Sequence, residues 1–278
     1  MTCLDGLEQR IRSYGASDAL VALSGGVDSA LVLAVAARAL GAGHVTAMTA
    51  LSPSYPAGEI DSAREVAAFV GVEHRTVRTA EVERPEYARN DALRCFHCKL
   101  ELFTAMTMLA ESFDGESDGV QILAGANADD VHDFRPGLRA AAQFGVRNPL
   151  LDEGLGKAEV REVARDLRLP VADKPALACL SSRVAFGLPI TPDLLSRIDR
   201  AEHAVRDLGF GQVRVRHFGE RATIEVPEAE VDRLRADPRL PAVLHHLRSL
   251  GWDEVAVDPQ GYRSGSMNAT LVRLGRRP

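Results

Sequence analysis

Residues 18–40 read DALVALSGGVDSALVLAVAARAL, and their order decides the architecture. DALVAL (18–23) is a short apolar run of the kind that fills a strand covered on both faces. The glycine pair Gly25–Gly26 breaks it, and SALVLAVAARAL (29–40) is apolar enough for a helix covered on most sides. A strand that turns directly into a helix opens a β-α-β unit, and the alternation continues. HVTAMTA (44–50) reads as the next strand, 58–70 as a helix, VEHRTV (72–77) as a third strand and VQILAGA (120–126) as a fourth. KAEVREVARDLRL (157–169) carries Val160, Val163, Ala164 and Leu167 at helical spacing, and Leu169-Pro170 ends it. The expected class is α/β, built on a parallel sheet.

The texture changes after the loop-like stretch 173–192. A helix over 193–208 stops at Gly209, QVRVRHF (212–218) and RATIEV (221–226) read as strands, a helical region broken at Pro238 and Pro241 follows, and DEVAVDP (253–259) closes the set. This α-β-β-α-β order predicts a smaller α+β domain. The chain is expected to divide into a sheet domain, 1–188, and a C-terminal domain, 189–278, for substrate binding or oligomerisation. A length of 278 residues agrees with two domains at roughly 100–200 residues each.

Composition narrows the function classes. The chain is 46% hydrophobic and 26% charged, as globular proteins are, and no apolar run approaches the ~20 residues that span a bilayer. Asp5 and Glu8 stand where a secretory leader would carry positive charge and an apolar core, so a cytoplasmic protein is expected. The net charge of −6 argues against a grip on nucleic acid. Residues 1–189 carry −7 and residues 190–278 carry +1, which makes the C-terminal part the better place for an anionic small molecule. Only Lys99, Lys157 and Lys174 among 33 basic residues are lysine, a bias that genome composition alone could produce. Four cysteines, Cys3, Cys95, Cys98 and Cys179, in a reducing compartment read as metal ligands or catalytic thiols rather than disulfides.

The clearest chemical signal is SGGVDS, Ser24 to Ser29. Gly25 and Gly26 let the backbone turn sharply towards an anion, the helix start supplies unpaired N–H groups, and Ser24 and Ser29 add hydroxyls: a pyrophosphate cradle. It lacks the GK[ST] ending of a Walker A loop, so kinase-like γ-phosphate chemistry is not indicated. It resembles the PP-loop of the ATP pyrophosphatases, with the adenine nucleotide alpha hydrolase-like fold. Asp28 is then the Mg²⁺-facing carboxylate. GANADDVHDFRPGL (125–138) follows the fourth strand at its carboxyl end, where open parallel sheets place their ligands. Asn127, Asp129, Asp130 and Asp133 form a polar cluster able to orient ribose or Mg²⁺, and Arg135 can pair with phosphate or with those acids; a solvated acidic turn is the plain alternative.

SGGVDSALVL, RCFHCKLELF, GANADDVHDFRPGLRAA, KPALACLSSRVAFGLPIT, VRVRHFGERATIEV and GYRSGSMN together resemble the ordered motifs of the LarE family of ATP-dependent sulfur transferases, over residues 18–268. That resemblance implies ATP-driven conversion of the two carboxylates of pyridinium-3,5-biscarboxylic acid mononucleotide into thiocarboxylates, before nickel enters the pincer nucleotide of lactate racemase. It implies a homo-oligomer, a sulfide or sulfur donor protein as partner, and no nucleic acid or membrane. Cys179, in CLSSR, matches the family's sulfur-bearing cysteine. One branch gives up that sulfur and is left with dehydroalanine, and another has three cysteines that hold a [4Fe-4S] cluster. Cys95, Cys98 and Cys179 match the second branch, in which three thiolates leave one iron open for an extra sulfide. From spacing alone the Cys95–Cys98 CxxC stays open between a cluster, zinc and plain thiols. Cys3 is left outside the set.

Ser182 and Arg183 follow Cys179, and Arg214 and Arg216 alternate on one face of a strand, a pair able to clamp phosphate or carboxylate. The resemblance places the substrate's phosphate in this region and gives Glu202 and Glu225 a metal-linked role. A cluster-dependent tRNA thiolase, an amidating NAD or GMP synthetase and a regulatory module that holds ATP without turnover are the rival functions.

Overall fold

The computed structural model describes residues 2–56, 58–113, 119–132, 135–175 and 178–263. Its first elements are α1 (Cys3–Ser13), β1 (Asp18–Ala22), α2 (Val27–Leu40), β2 (Val45–Leu51), α3 (Glu59–Val70), β3 (Glu73–Arg78), α4 (Pro85–Ala88), α5 (Arg94–Ala110) and β4 (Val120–Leu123). There follow α6 (Pro136–Gln143), α7 (Pro149–Asp152), α8 (Lys157–Asp166), α9 (Pro192–Arg206), β5 (Arg214–Phe218), β6 (Arg221–Glu225), α10 (Val231–Ala236), α11 (Leu240–Ser249) and β7 (Glu254–Val257). The described residues form two compact units: those within 2–52, 58–81 and 95–175 make one, and those within 53–56, 82–94 and 178–263 the other.

In the first unit four parallel strands run in the order β3-β2-β1-β4. β1 shows why this sheet needs helices on both faces. Its alternate residues Ala19 and Val21 enter a core with Leu7 and Ile11 of α1, Leu31 and Val35 of α2 and Val160 of α8, while Leu20 and Ala22 enter a second core with Leu102, Phe103 and Met106 of α5. Each fully buried Leu or Phe there contributes roughly 1.5–3 kcal/mol. α2 is apolar on most sides because it packs against α1, α3, α8 and the sheet. With β2 on one side of β1 and β4 on the other, the carboxyl ends of β1 and β4 flank the point where the strand order reverses, the place such sheets open a crevice.

The second unit carries a three-stranded sheet, β5-β6-β7, antiparallel between β5 and β6 and parallel between β6 and β7. α9 buries Leu195, Ile198, Ala201 and Val205 and is capped by the Thr191 hydroxyl, which accepts from the Leu194 N–H at 3.2 Å. Pro241, expected to break a helix, sits in the first turn of α11, where a missing N–H costs nothing.

Residues 82–94 join this unit through a polar latch. Asn90, buried and at φ +53°, donates to the carbonyls of Ala185 at 2.9 Å and Leu188 at 3.0 Å, and its own side-chain oxygen accepts from Arg94 at 2.6 Å. Arg94 also donates to the Ser181 carbonyl at 2.9 Å, and the hydroxyls of Tyr87 and Ser181 bond at 2.7 Å. Among the described residues no helix is long and apolar enough to cross a membrane.

Candidate active site

β1 leads straight into the cradle. Gly25 stands at φ +69°, and a Cβ on it would lie 2.8 Å from the Glu59 carbonyl oxygen, so only glycine fits. Gly26 caps α2 without any side-chain bond, which leaves the first N–H groups of the helix for a ligand. Ser29 Oγ donates to the Gly26 carbonyl at 3.1 Å and accepts from the Ser24 N–H at 3.1 Å, tying the turn to the helix. The loop after β4 leans on the same turn: a Cβ on Gly125 would lie 2.7 Å from the Ser29 nitrogen.

That approach brings Asn127 to Asp28, whose Oδ1 accepts from Asn127 Nδ2 at 3.0 Å. The other oxygen of Asp28 pairs with the Lys157 ammonium, so the carboxylate expected to face Mg²⁺ already holds a cation. Asp129 and Asp130 shape the turn. Asp129 accepts from the Lys157 N–H at 2.8 Å and so caps α8, while Asp130 accepts from the Asn127 N–H at 3.1 Å and pairs with Arg135 at 2.7 Å. Asp133 lies outside the described residues. Glycine cradle, open helix start and partly exposed carboxylate fit a magnesium-bound triphosphate.

Three residues here were not singled out from sequence. Besides Lys157, Lys174 donates to the Gly25 carbonyl at 3.2 Å and to Glu59 Oε2 at 2.9 Å. Two of the chain's three lysines therefore reach this loop, from positions more than a hundred residues away in sequence.

The second unit gathers Ser182, Arg183, Arg214, Arg216, Glu202 and Glu225. Arg183 and Glu202, both fully buried, pair through two contacts of 2.8 and 3.1 Å, and Glu202 also accepts from Arg206 at 2.6 Å and from the Val215 N–H at 3.0 Å. Arg183 turns its remaining nitrogen onto the carbonyls of Ala178 and Cys179 and, at 3.1 Å, the Ser182 hydroxyl, fixing the turn that carries the cysteine. Arg216 bonds Glu225 at 2.8 Å and the Ser182 carbonyl at 3.0 Å. Where a metal-linked role was expected for Glu202 and Glu225, each carboxylate has an arginine partner. Burial pushes the Glu225 carboxyl up, against the pull of Arg216. Arg214 is buried, and burial together with neighbouring Arg183 lowers its pKa to about 10, with Arg216 acting in the same direction. The Tyr262 ring faces both Arg214 and Arg216, at 5.5 and 6.0 Å. The GYRSGSMN string leaves the described residues after Arg263.

Cys95 and Cys98 stand three apart near the start of α5 and so share one of its faces. Cys179 precedes the short turn Leu180–Arg183 in the other unit. None of the three is in a disulfide; Cys95 is exposed, and Cys98 and Cys179 keep part of their surface in solvent. Soft, accessible thiols of this kind suit iron–sulfur ligation, although no group of three or more His, Cys, Asp or Glu is arranged to hold a metal ion among the described residues. Cys3 opens α1, and burial together with Glu159, Glu153 and Glu162 pushes its thiol up, away from the reactive thiolate.

Comparison with known proteins adds to this geometry. A family model described as asparagine synthase matches residues 11–107, the span that contains the cradle. An uncharacterised protein of Synechocystis sp. is 40% identical over 96% of this chain and 98% of its own length. The pyridinium-3,5-bisthiocarboxylic acid mononucleotide synthase of Lactiplantibacillus plantarum is 34% identical over 91% of this chain and 90% of its own length. The chain belongs to the LarE family. As a LarE protein it is an ATP-dependent sulfur transferase of the PP-loop class, which splits ATP into AMP and pyrophosphate.

Proposed function

We propose that this LarE protein activates the carboxylates of pyridinium-3,5-biscarboxylic acid mononucleotide with ATP and converts them to thiocarboxylates, with Cys95, Cys98 and Cys179 holding a [4Fe-4S] cluster. Similarity over nine-tenths of the chain to a synthase named for the bisthiocarboxylic product carries this function.

A carboxylate is a poor electrophile at neutral pH, and its mixed anhydride with AMP is a good one. Ser24 to Ser29 would bind the phosphates and Asp28 the Mg²⁺, so that a substrate carboxylate attacks the α-phosphate and pyrophosphate departs. Asn127 would orient Asp28. In the second unit Arg214 and Arg216, with Ser182 and Arg183 beside them, would take the mononucleotide's phosphate; the burial of Arg214, which with neighbouring Arg183 lowers its pKa, supports the reading because a bound anion would compensate that charge. When bound, a three-thiolate cluster supplies an open iron at which sulfide is carried as the nucleophile. Sulfide itself or a donor protein would replenish it, in a cytoplasmic homo-oligomer.

The test is anaerobic incubation with the biscarboxylate mononucleotide, ATP, Mg²⁺ and sulfide. Substrate-dependent pyrophosphate release and a thiocarboxylate product detected by mass spectrometry are expected. Turnover with tRNA in place of the mononucleotide, or ATP binding without pyrophosphate release, would overturn the proposal. Arg214→Ala should weaken mononucleotide binding about tenfold while ATP binding stays within twofold.

A further inference from the structure

The Lys174 ammonium grips Gly25 and Glu59 at once, at 3.2 and 2.9 Å. Glu59 opens α3, and only 11% of its side chain and 19% of that of Lys174 are exposed, so each charge depends on the other for compensation. The gripped carbonyl belongs to the peptide that joins Gly25 to Gly26. In a trans peptide the C=O and N–H point in opposite directions, so a carbonyl drawn to Lys174 turns the Gly26 N–H away from that ammonium. Because glycines flank it on both sides, no Cβ resists rotation of this peptide. Flipped, it would aim a carbonyl oxygen where an anion needs a donor. The chain uses lysine only three times among 33 bases, and an ammonium is a compact charge with three rotatable donors, able to bridge a carboxylate and a carbonyl where a planar guanidinium is a wide fork.

We propose that Glu59 is a positioning residue for nucleotide binding: it holds Lys174 on the Gly25 carbonyl and thereby locks the Gly25–Gly26 peptide with its N–H available to the phosphates. The proposal rests on the nucleotide site assigned above, and the experiment separates the two.

Calorimetric titrations of the full chain with α,β-methylene ATP and with adenosine compare wild type, Glu59→Ala and Glu59→Gln. Glutamine keeps an acceptor at the same reach without the charge. The ATP analogue should bind about tenfold more weakly to Glu59→Ala and about threefold more weakly to Glu59→Gln, while adenosine binding stays within twofold for both. A role in folding alone would weaken both ligands alike, and that result overturns the proposal, as does unchanged affinity for the ATP analogue. If Glu59→Ala fails to fold, the same comparison is made on Glu59→Gln, where a loss confined to the phosphate-bearing ligand is expected. Wild-type protein that binds neither ligand would instead remove the nucleotide site itself.

Discussion

Arg183 and Glu202 form a two-pronged ion pair sealed from solvent, and the same guanidinium donates to the Cys179 carbonyl at 2.9 Å. The buried carboxylate therefore reaches the cysteine through the arginine. Glu202→Ala strands Arg183 without compensation, and loss of one partner of a buried pair costs about 3–5 kcal/mol. Urea unfolding should show that loss. Alkylation of Cys179 should also quicken in the folded variant, since the turn no longer has its anchor. Wild-type stability and alkylation rate together would remove Glu202 from any role in holding the cysteine.

Asp28 and Lys157 form the second informative pair. Asp28→Asn takes away the cation-holding carboxylate, and pyrophosphate release should fall at least tenfold, ~1.4 kcal/mol of transition-state stabilisation. The Mg²⁺ concentration needed for half-maximal release should rise in the same variant. An unchanged rate and an unchanged Mg²⁺ requirement would move the metal away from Asp28.

The first unit was legible because β1 and α2 advertise themselves: short continuous apolar runs on either side of a glycine pair have few uses other than a buried strand and a buried helix. Asp28, Asn127 and the cradle glycines could be picked out for the same reason, being unusual residues at the ends of recognisable strands. Lys157 and Lys174 could not, since each lies more than a hundred residues from the loop it touches and only folding joins them. The latch at Asn90 was hidden likewise. Nothing in residues 82–94 marks a link to 184–188, because the partners on one side are backbone carbonyls, which every residue has. Arg214 and Arg216 were found by strand alternation, but alternation does not tell a solvated face from a buried one, and both are buried.

His217 offers a pH-dependent test of the second unit. Trp252 Nε1 can only donate, so His217 Nδ1 accepts at 3.0 Å and the ring is held neutral; burial, aided by Arg197, lowers its pKa below the usual 6.5. The unfolded chain then binds a proton near pH 6.5 that the folded one refuses until lower pH. Stability should fall as pH drops through 6.5 and level off below the folded pKa, with no contribution above about pH 7.5. Urea midpoints followed by fluorescence of Trp252, the single tryptophan, measure this directly. His217→Gln should lose on the order of 1 kcal/mol at pH 7.5 and shed part of the slope below pH 6.5. An identical slope in the variant would place the titration elsewhere.

The cysteines distinguish the two ways in which a LarE protein could deliver sulfur. A sacrificial enzyme needs Cys179 alone, so Cys95→Ser and Cys98→Ser would each retain one round of transfer, and Cys179 would become dehydroalanine, about 34 Da lighter by loss of H₂S. A cluster enzyme needs all three thiolates, since removal of one leaves the cube short of a protein ligand. Solvent-reaching thiols at positions 95 and 98, outside any disulfide and on one face of one helix, match the second requirement and have no use in the first. Each single Cys→Ser variant should therefore lose iron and sulfur transfer while ATP binding survives in all three. Wild-type protein supplied with sulfide should turn over repeatedly at constant mass. The readouts are iron content, absorption in the blue after anaerobic purification, and intact mass after turnover. A 34 Da loss from wild type, together with full single-round activity in Cys95→Ser, would assign the sacrificial route. It would leave the cradle at Ser24–Ser29 untouched, because activation of the carboxylate precedes sulfur delivery in both.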